Sequence, residues 1–383
     1  METKERIKWL DGLKGLACLL VFVHHFLLSF FSAAYFGVES HTRLHGYDTY
    51  LASAPIGVFA NGNFQVCVFL LIAAFLPAKR IMECRKEDLQ DVAGRMLLKR
   101  YPRLMIPVFS VCALNYVILF LVNRLGLNYM GTELSYHGYS YFLHSLYDLF
   151  LVPDTGLLGP LWSIYYIFLG SVTAIALAIP AKKERWYLPL VYLVIARALV
   201  RQSIQFMPCV LGVMLADLIV NERVRIPWTK RRGILASVAL IAGGLFLGGY
   251  PSYVKPENIY RVFSFINARV EQQQNVHIVY HSIGAALVFA GIYLWNKAGL
   301  FSVLSTKLFT FLGKISLGVY LVHQLWLTYL GNYFMDSLKA SWGSYARAAC
   351  LGFPVLLALV IVSAVVFRQV IEKPTEKLLG RIR

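Results

Sequence analysis

Ionisable side chains stand at both ends of an apolar stretch, DGLKGLACLLVFVHH, which covers residues 11–25. In a helix, Lys14 and His25 would share one face roughly 16 Å apart along the axis, with Asp11 one turn below Lys14 and able to pair with it. A neutral imidazole in an apolar cavity is a competent general base, since burial disfavours the charged ring. The spacing therefore indicates a proton-abstracting group, with the alternative that the histidine only hydrogen-bonds a neighbouring helix. His24, about 100° round the helix, fits that structural role better.

These residues must be positioned by helices that cross a membrane. Of the 383 residues, 58% are hydrophobic and 15% are charged, which is too apolar for a water-soluble protein of this length. A bilayer core about 30 Å thick needs roughly 20 apolar residues per helix, and such stretches recur along the chain. We predict an all-α integral membrane protein, a bundle of about ten transmembrane helices. The predicted spans are residues 13–36, 57–77, 104–123, 158–180, 186–200, 205–220, 233–250, 276–295, 315–334 and 348–367.

The net charge of +17 comes from basic residues whose positions along the chain indicate the membrane topology. With a cytosolic N-terminus, 28 of the 37 lysines and arginines fall in inside segments, which satisfies the positive-inside rule. Both termini are therefore predicted to be cytosolic, and no nucleic-acid partner is predicted. No linker divides the chain, so we expect a single membrane domain over residues 1–383 with no appended soluble domain. The six cysteines form no C-x-x-C pair, which indicates neither a disulfide framework nor a metal site.

The longest predicted cytosolic segment runs from Lys79 to Arg103 and carries charges of both signs. Its apolar positions lie near helical spacing, which predicts an amphipathic helix along the inner leaflet. The segment ends in concentrated positive charge that includes Arg100 and Arg103. Contact with anionic membrane lipid is the structural interpretation of that charge.

Five short motifs occur in order across most of the chain. They are LDGLKGLACLLVFVHH at residues 10–25, LKRYPRLMIP at 98–107, GPLWSIYY at 159–166, FLGKISLGVYLVHQLWL at 311–327 and IEKPTEKLL at 371–379. Together they resemble the membrane acyltransferase-3 family, bacterial enzymes that acylate cell-surface sugars and related acceptors. The first motif is similar to the family's opening, in which a basic residue is followed after ten positions by histidine.

The resemblance implies a catalytic role for the first motif. His25 would remove the proton from an acceptor hydroxyl, and Lys14 with Asp11 would belong to the same essential face. The donor is cytosolic and the usual acceptor lies outside, so a passage through the bundle would let the two substrates meet at His25. Direct transfer and a covalent acyl intermediate are both compatible with that arrangement.

The resemblance also implies a donor site. Arg100 and Arg103 would bind the phosphates of acyl-coenzyme A, with acetyl-coenzyme A favoured as the co-substrate and no metal required. Trp162 and His323 would line or shape the substrate cavity.

Three departures from the family pattern stand out. Lys14 replaces the usual arginine, which keeps the charge but loses the planar fork. Alanines occupy positions 73–74, where Ser-Gly is common, and Ile167 stands where many members carry glutamate. The last change weakens any expectation of an acidic partner for His25 in the fourth predicted span and is compatible with a different acceptor.

The predicted function is an O-acyltransferase, foremost an O-acetyltransferase, which modifies a hydroxyl of an exported or lipid-linked glycan in the plasma membrane of a bacterium. A transporter or channel is the alternative from another class, since intramembrane histidines and polybasic loops also suit translocation. A third possibility is a membrane binding partner of the same fold that has lost catalysis, as the changes at Lys14 and Ile167 would allow.

Overall fold

The computed structural model describes residues 7–125, 138–153, 157–181, 186–223, 229–253, 259–266 and 276–381. These residues form helices joined by turns and short irregular segments, and no β-strand occurs among them. The all-α prediction is confirmed, and the apolar helices make the chain a multi-pass membrane protein.

Thirteen α-helices of eight or more residues form the framework of the described chain. They are α1 (Lys8–Phe30), α2 (Gly62–Glu83), α3 (Leu89–Arg124), α4 (Trp162–Ala181), α5 (Leu188–Gln202), α6 (Met207–Val220), α7 (Lys230–Gly248), α8 (Val276–Lys297), α9 (Lys307–Lys314), α10 (Ser316–Leu325), α11 (Asn332–Trp342), α12 (Tyr345–Phe367) and α13 (Lys373–Gly380). Short α-helices are Ala33–Phe36, Tyr47–Ser53, Tyr139–Leu143 and Leu149–Leu151. The 3-10 helices are Glu39–His41, Pro55–Phe59, Gly159–Leu161, Ile204–Phe206, Ile259–Ile266 and Val303–Ser305, and π-helical segments are His144–Asp148, Trp326–Gly331 and Arg368–Glu372.

Seven helical segments of the described chain are long and apolar enough to cross a bilayer. An eighth span would combine α9 with the helical stretch Ser316–Trp342. Helices α5 and α6 coincide with the fifth and sixth predicted spans, but their 15 and 14 residues fall short of the roughly 20 that a bilayer core requires. The count of ten spans and the cytosolic termini therefore stay predictions.

Helix α3 differs from its prediction by being continuous. Its 36 residues join the expected surface helix to the third span without a break. Pro102 and Pro107 both lie inside it, at positions where the lost backbone hydrogen bonds of a membrane helix can be compensated by neighbouring groups. Arg100 and Arg103 are thus carried on the same helix as the apolar residues that follow them.

The chain divides into two compact units, Met1–Lys79 with Lys183–Ser316 and Arg80–Lys182 with Leu317–Arg383. We call them the first and second units. The prediction of one membrane domain stays a prediction.

In the first unit, α1 packs against α9, and α7 packs along α8. The core of this unit includes Phe22 of α1 and Phe75 of α2, and the Phe75 ring lies 4.6 Å from that of Phe289 on α8. These contacts bury the apolar faces that the sequence places on each helix. They position the two ends of α1, where the ionisable residues lie.

In the second unit, α3 packs against α4 and α13. Asn115 of α3 is buried and hydrogen-bonds to two tyrosines from other segments. Its Nδ2 donates to the Tyr141 hydroxyl at 3.0 Å, and its Oδ1 accepts from the Tyr329 hydroxyl at 2.8 Å. An amide buried among helices is stable only with such partners. The bonds link α3 to the helix at Tyr139–Leu143 and to the π-helical segment after α10.

Candidate active site

Lys14, the basic residue of the first motif, forms an ion pair with Asp11. Lys14 Nζ lies 2.8 Å from Asp11 Oδ1, with side chains 24% and 9% exposed respectively. The predicted pairing of these two residues along one helix face is what the structure shows. The pair neutralises a cation at the start of α1 that would otherwise stand partly buried without compensation.

The glycines around this pair have a packing role. A Cβ at Gly12 would lie 1.9 Å from the Leu304 carbonyl oxygen, and one at Gly313 would lie 2.0 Å from the Asp11 carbonyl oxygen. The backbone of α1 therefore approaches the 3-10 helix Val303–Ser305 and α9 so closely that neither glycine position admits a side chain. This contact joins the first motif to the FLGK residues of the fourth motif within the first unit.

His25 lies toward the other end of α1 and is partly exposed. Its Nδ1 lies 3.0 Å from the Val21 carbonyl oxygen one turn earlier. Because a carbonyl can only accept, Nδ1 carries the proton in this arrangement, and Nε2 is the basic nitrogen of the ring. In this tautomer the Nε2 lone pair is the one that could take a proton.

His24 holds α1 to the segment before α2. Its Nδ1 donates to the Ala60 carbonyl oxygen at 2.8 Å, which confirms the structural role expected for it. A Cβ at Gly62 would come within 2.3 Å of the ring, so only glycine leaves room for this imidazole. The ring also makes edge contacts with the rings of Tyr35, at 4.7 Å, and His25, at 4.8 Å.

A buried polar cluster lies near this end of the first unit, and the sequence analysis missed it. His281 of α8 has no exposed surface; its Nε2 donates to the Tyr250 carbonyl oxygen at 2.9 Å, and its Nδ1 accepts from Asn63 Nδ2 at 3.0 Å. Asn63 Oδ1 accepts from Gln205, and Asn61 Nδ2 also donates to the Tyr250 carbonyl oxygen, at 3.2 Å. The sequence did contain a signal for this cluster. Polar residues inside predicted membrane spans are energetically unfavourable, so their presence there marks a functional region.

Arg100, one of the two arginines predicted to bind the acyl donor, hydrogen-bonds to α4. Its Nε donates to Ser171 Oγ at 2.6 Å and its Nη2 to the Ile167 carbonyl oxygen at 3.3 Å. Arg103, one turn later on α3, is exposed. The predicted pair is thus brought together along the helix but given two different environments.

The third and fourth motifs meet in the second unit. The Tyr320 hydroxyl donates to the Pro160 carbonyl oxygen and lies 2.7 Å from Ser163 Oγ. His323, one turn after Tyr320, is fully buried, and its Nδ1 donates to the Val319 carbonyl oxygen at 3.0 Å. Neighbouring side chains of the two motifs are in contact.

Trp162 stands beside this contact at the start of α4. Its ring lies 5.8 Å from that of Tyr166 on the same helix, and the side chain is partly buried. Its proposed role at the cavity, and that of His323, stays a prediction.

Glu372 joins the closing motif to the helical turn before it and to the fourth motif. Arg368 Nη1 donates to Glu372 Oε2 at 3.1 Å, and Glu372 also interacts with the backbone of Gly318 in the fourth motif. The acid is buried, and Arg368 is the ion-pair partner of its Oε2. Within the described residues, no group of three or more histidine, cysteine, aspartate or glutamate side chains is placed to hold a metal ion.

A family profile described as an acyltransferase domain matches residues 7–369. The chain belongs to this acyltransferase family. The match includes residues of both units and covers the first four motifs, and it ends just before the closing motif. It favours an acyltransferase over a transporter.

Two curated proteins are similar over part of their length. "Acyltransferase R4" from Phoma sp. (strain ATCC 20986 / MF5453) is 29% identical over 165 residues, which are 40% of this chain and 34% of that protein. "O-acetyltransferase PaAT-1" from Phomopsis amygdali is 27% identical over 107 residues, which are 27% of this chain and 20% of that protein. The matches thus span about a third and a fifth of the curated relatives. No solved structure matches the chain.

Proposed function

We propose that this acyltransferase moves an acyl group, foremost acetyl, from cytosolic acyl-coenzyme A to a hydroxyl of an exported or lipid-linked glycan, with His25 as general base. Family membership supports acyl transfer, and the name of one relative, an O-acetyltransferase, supports the acetyl group and an oxygen acceptor. The observation that carries the role of His25 is the bond from its Nδ1 to the Val21 carbonyl oxygen. The membrane in which it acts is, on this proposal, the plasma membrane.

The proposed chemistry is a proton-coupled acyl transfer. His25 Nε2 takes the proton of the acceptor hydroxyl while its oxygen forms a bond to the thioester carbonyl carbon. The carbon–sulfur bond breaks, and the thiolate of coenzyme A recovers the proton from the imidazolium. The products are the ester and coenzyme A, and the ring is neutral again. The Val21 carbonyl oxygen supports the transient imidazolium, because it accepts from Nδ1 in both protonation states.

The donor's phosphates are assigned to the arginines of α3. Arg103 is exposed and can present its whole fork to a phosphate, whereas Arg100 already donates to Ser171 and to the Ile167 carbonyl oxygen. In this proposal Arg103 is the main phosphate ligand and Arg100 fixes the position of α3 against α4. The roles of Lys14 and Asp11 follow from their ion pair, which stabilises the start of α1.

The test is acyl transfer by the purified full chain with His25→Ala and His25→Gln variants. Release of coenzyme A from acetyl-coenzyme A is followed with methyl glycosides of glucose, galactose, N-acetylglucosamine and rhamnose as acceptors, and the products are examined for O-acetyl ester. We expect a loss of at least about 100-fold in both variants, the scale of a missing general base.

A matched control is His41→Ala, which removes an exposed imidazole from the segment after α1. It should transfer as the natural chain does. Unchanged ester formation by His25→Ala, in protein whose melting temperature is also unchanged, would reject His25 as the base.

A further inference from the structure

Helix α9 has an exposed stripe that combines lysine with large apolar side chains. Four exposed residues recur on one helical face, and they are Lys307, Leu308, Phe311 and Lys314. Leu308 is 63% exposed and Phe311 is 41% exposed. The other side of α9 packs on α1. The stripe is therefore an open face whose covering has to suit both apolar groups and cations.

The segment between α8 and α9 adds two exposed apolar residues. Phe301 is 77% exposed and Val303 is 57% exposed. Trp295, near the end of α8, donates from its Nε1 to the Phe301 carbonyl oxygen at 3.0 Å, which fixes the start of this segment on α8. We call six residues the α9 surface: Phe301, Val303, Lys307, Leu308, Phe311 and Lys314.

Two long apolar helices indicate the side of the membrane on which α9 lies. Helix α1 begins at Lys8 and α8 ends at Lys297, and both are long and apolar enough to cross a bilayer. The Trp9 ring lies 5.3 Å from that of Phe289 on α8, so the start of α1 and the end of α8 lie on the same side. Helix α9 follows the end of α8 in the chain and packs near the start of α1, so it lies on that side as well.

The ion pair of Asp11 with Lys14 indicates the depth of α9. Charged groups are costly within the hydrocarbon core, so this pair marks the border of the core at the start of α1. A Cβ at Gly313 would lie 2.0 Å from the Asp11 carbonyl oxygen, and one at Gly15 would lie 2.5 Å from the Gly313 nitrogen. Helix α9 is thus at the level of the pair, where headgroups meet acyl chains. Its 8 residues are also too few to cross the core.

The composition of this part of the chain matches an anionic membrane surface. Residues 297–316 contain three lysines and no aspartate or glutamate. A lysine at the interface keeps its stem among apolar groups while its ammonium reaches the headgroup phosphates, and each lysine near an anionic leaflet favours binding. Leucine and phenylalanine on the same helix face enter the outermost part of the acyl chains. A neutral lipid surface would suit the apolar residues but would gain no charge attraction from the lysines.

We propose that the α9 surface lies in the membrane interface and binds anionic phospholipid. Lys307 and Lys314 contact the lipid phosphates, and Leu308 and Phe311 lie among the upper carbons of the acyl chains. Helix α9 then does not cross the bilayer. This role is separate from acyl transfer and adds a lipid-binding surface to the first unit.

Depth is measured by fluorescence quenching in the full chain. Leu308→Cys is labelled with an NBD fluorophore in a Cys84→Ser and Cys350→Ser background, because the other four cysteines are buried. The labelled chain is reconstituted in vesicles of phosphatidylcholine and phosphatidylglycerol that contain lipids spin-labelled either near the headgroup or at the far end of an acyl chain. We expect the label near the headgroup to quench at least about three-fold more strongly than the label at the chain end.

Val238→Cys in the same background is the matched control, since Val238 is an exposed residue halfway along the apolar helix α7. Its fluorophore should be quenched more strongly by the label at the chain end. If the Leu308 fluorophore behaves in the same way, α9 lies in the bilayer core and the proposal is wrong. Quenching of the Leu308 fluorophore by aqueous iodide, without quenching by either lipid, would show that no lipid covers the α9 surface and would equally overturn it.

Headgroup charge is tested with the same labelled chain in phosphatidylcholine vesicles. Spin-labelled phosphatidylglycerol should quench the Leu308 fluorophore at least about three-fold more strongly than spin-labelled phosphatidylcholine at the same mole fraction, because lysines enrich anionic lipid around them. Lys307→Gln with Lys314→Gln should abolish this preference, whereas Lys307→Arg with Lys314→Arg should keep it. Lys373→Gln with Lys377→Gln removes the same charge from exposed positions of α13 and should leave the preference unchanged.

Two results would overturn the binding of anionic lipid. One is an equal response of the natural chain to the two spin-labelled lipids, and the other is a preference that survives Lys307→Gln with Lys314→Gln. Neither measurement uses an acyl donor or acceptor, so both results are independent of the proposed function.

Discussion

Lys14 Nζ and Asp11 Oδ1 are 2.8 Å apart, one helical turn from each other on α1. The Asp11 backbone is held at the same time, because Gly313 of α9 packs against its carbonyl. The pair therefore sits on a rigid helix crossing, and the cation of the opening motif is neutralised by its own helix.

Removing the acid should destabilise this crossing. Asp11→Asn leaves Lys14 partly buried without a countercharge, and we expect a loss of about 1–3 kcal/mol, between the values for exposed and buried pairs. The measurement is the melting temperature of the purified chain in detergent. Lys14→Arg keeps the pair and should melt close to the natural chain; equal melting of Asp11→Asn would show that the ion pair contributes nothing.

The glycine contact between α1 and α9 should not tolerate a methyl group. In Gly313→Ala the new Cβ would meet the Asp11 carbonyl oxygen at 2.0 Å, so the two helices must separate. We expect a loss of monodisperse protein or a large fall in melting temperature.

The control for that prediction is Gly94→Ala in α3. A Cβ at Gly94 meets no atom within 4 Å, and alanine favours a helix over glycine by up to about 1 kcal/mol. Gly94→Ala should therefore be neutral or slightly stabilising. Equal behaviour of the two variants would refute the close approach of α1 and α9.

Arg103 and Arg100 of α3 should have different roles. Arg103 should bind coenzyme A, and Arg100 should hold α3 against α4. Arg103→Ala should weaken binding of coenzyme A about ten- to 100-fold, the scale of a lost charge-assisted hydrogen bond, with little change in melting temperature. Arg100→Ala should lower the melting temperature, because Ser171 and the Ile167 carbonyl oxygen lose their donor. Isothermal calorimetry with coenzyme A alone measures the first effect, and unchanged affinity in Arg103→Ala would remove this residue from the donor site.

Residues 42–49, which follow α1, should lose stability at acidic pH. Burial acts to raise the pKa of Asp48, but hydrogen bonds from the Thr42 hydroxyl and the Arg43 backbone N–H outweigh it, so the pKa lies below its usual value of 3.8. A carboxyl whose pKa is lowered by folding contributes stability above its unfolded pKa and loses that contribution as the pH falls through the folded one. Residues 42–49 should therefore open on acidification below about pH 4.

Hydrogen exchange of that segment at several pH values checks this prediction. Asp48→Asn should exchange faster at neutral pH and lose the acid dependence. Asp88→Asn, at a partly exposed position before α3, is the control and should leave both features in place. An identical pH profile in Asp48→Asn would contradict the assignment to this carboxyl.

Much of the architecture could be predicted from local sequence. A bilayer dictates how long an apolar helix must be, so composition and apolar run length were sufficient for an all-α membrane protein. The pairing of Asp11 with Lys14 was also predictable, because residues three apart on a helix are neighbours whatever surrounds them. The five motifs, read in order, led to the acyltransferase family that the comparison then showed.

Other features depended on residues far apart in the chain. Asn61 and His281 are 220 positions apart, and their meeting is decided by how α8 packs near the segment before α2. The continuity of α3 was likewise not predictable from apolar run length, which does not show whether two neighbouring helical segments join. Local chemistry determined which helices form and which side chains can act, whereas the partner of each side chain follows from tertiary packing, because hydrogen bonds and close backbone contacts depend on distances that no local pattern encodes.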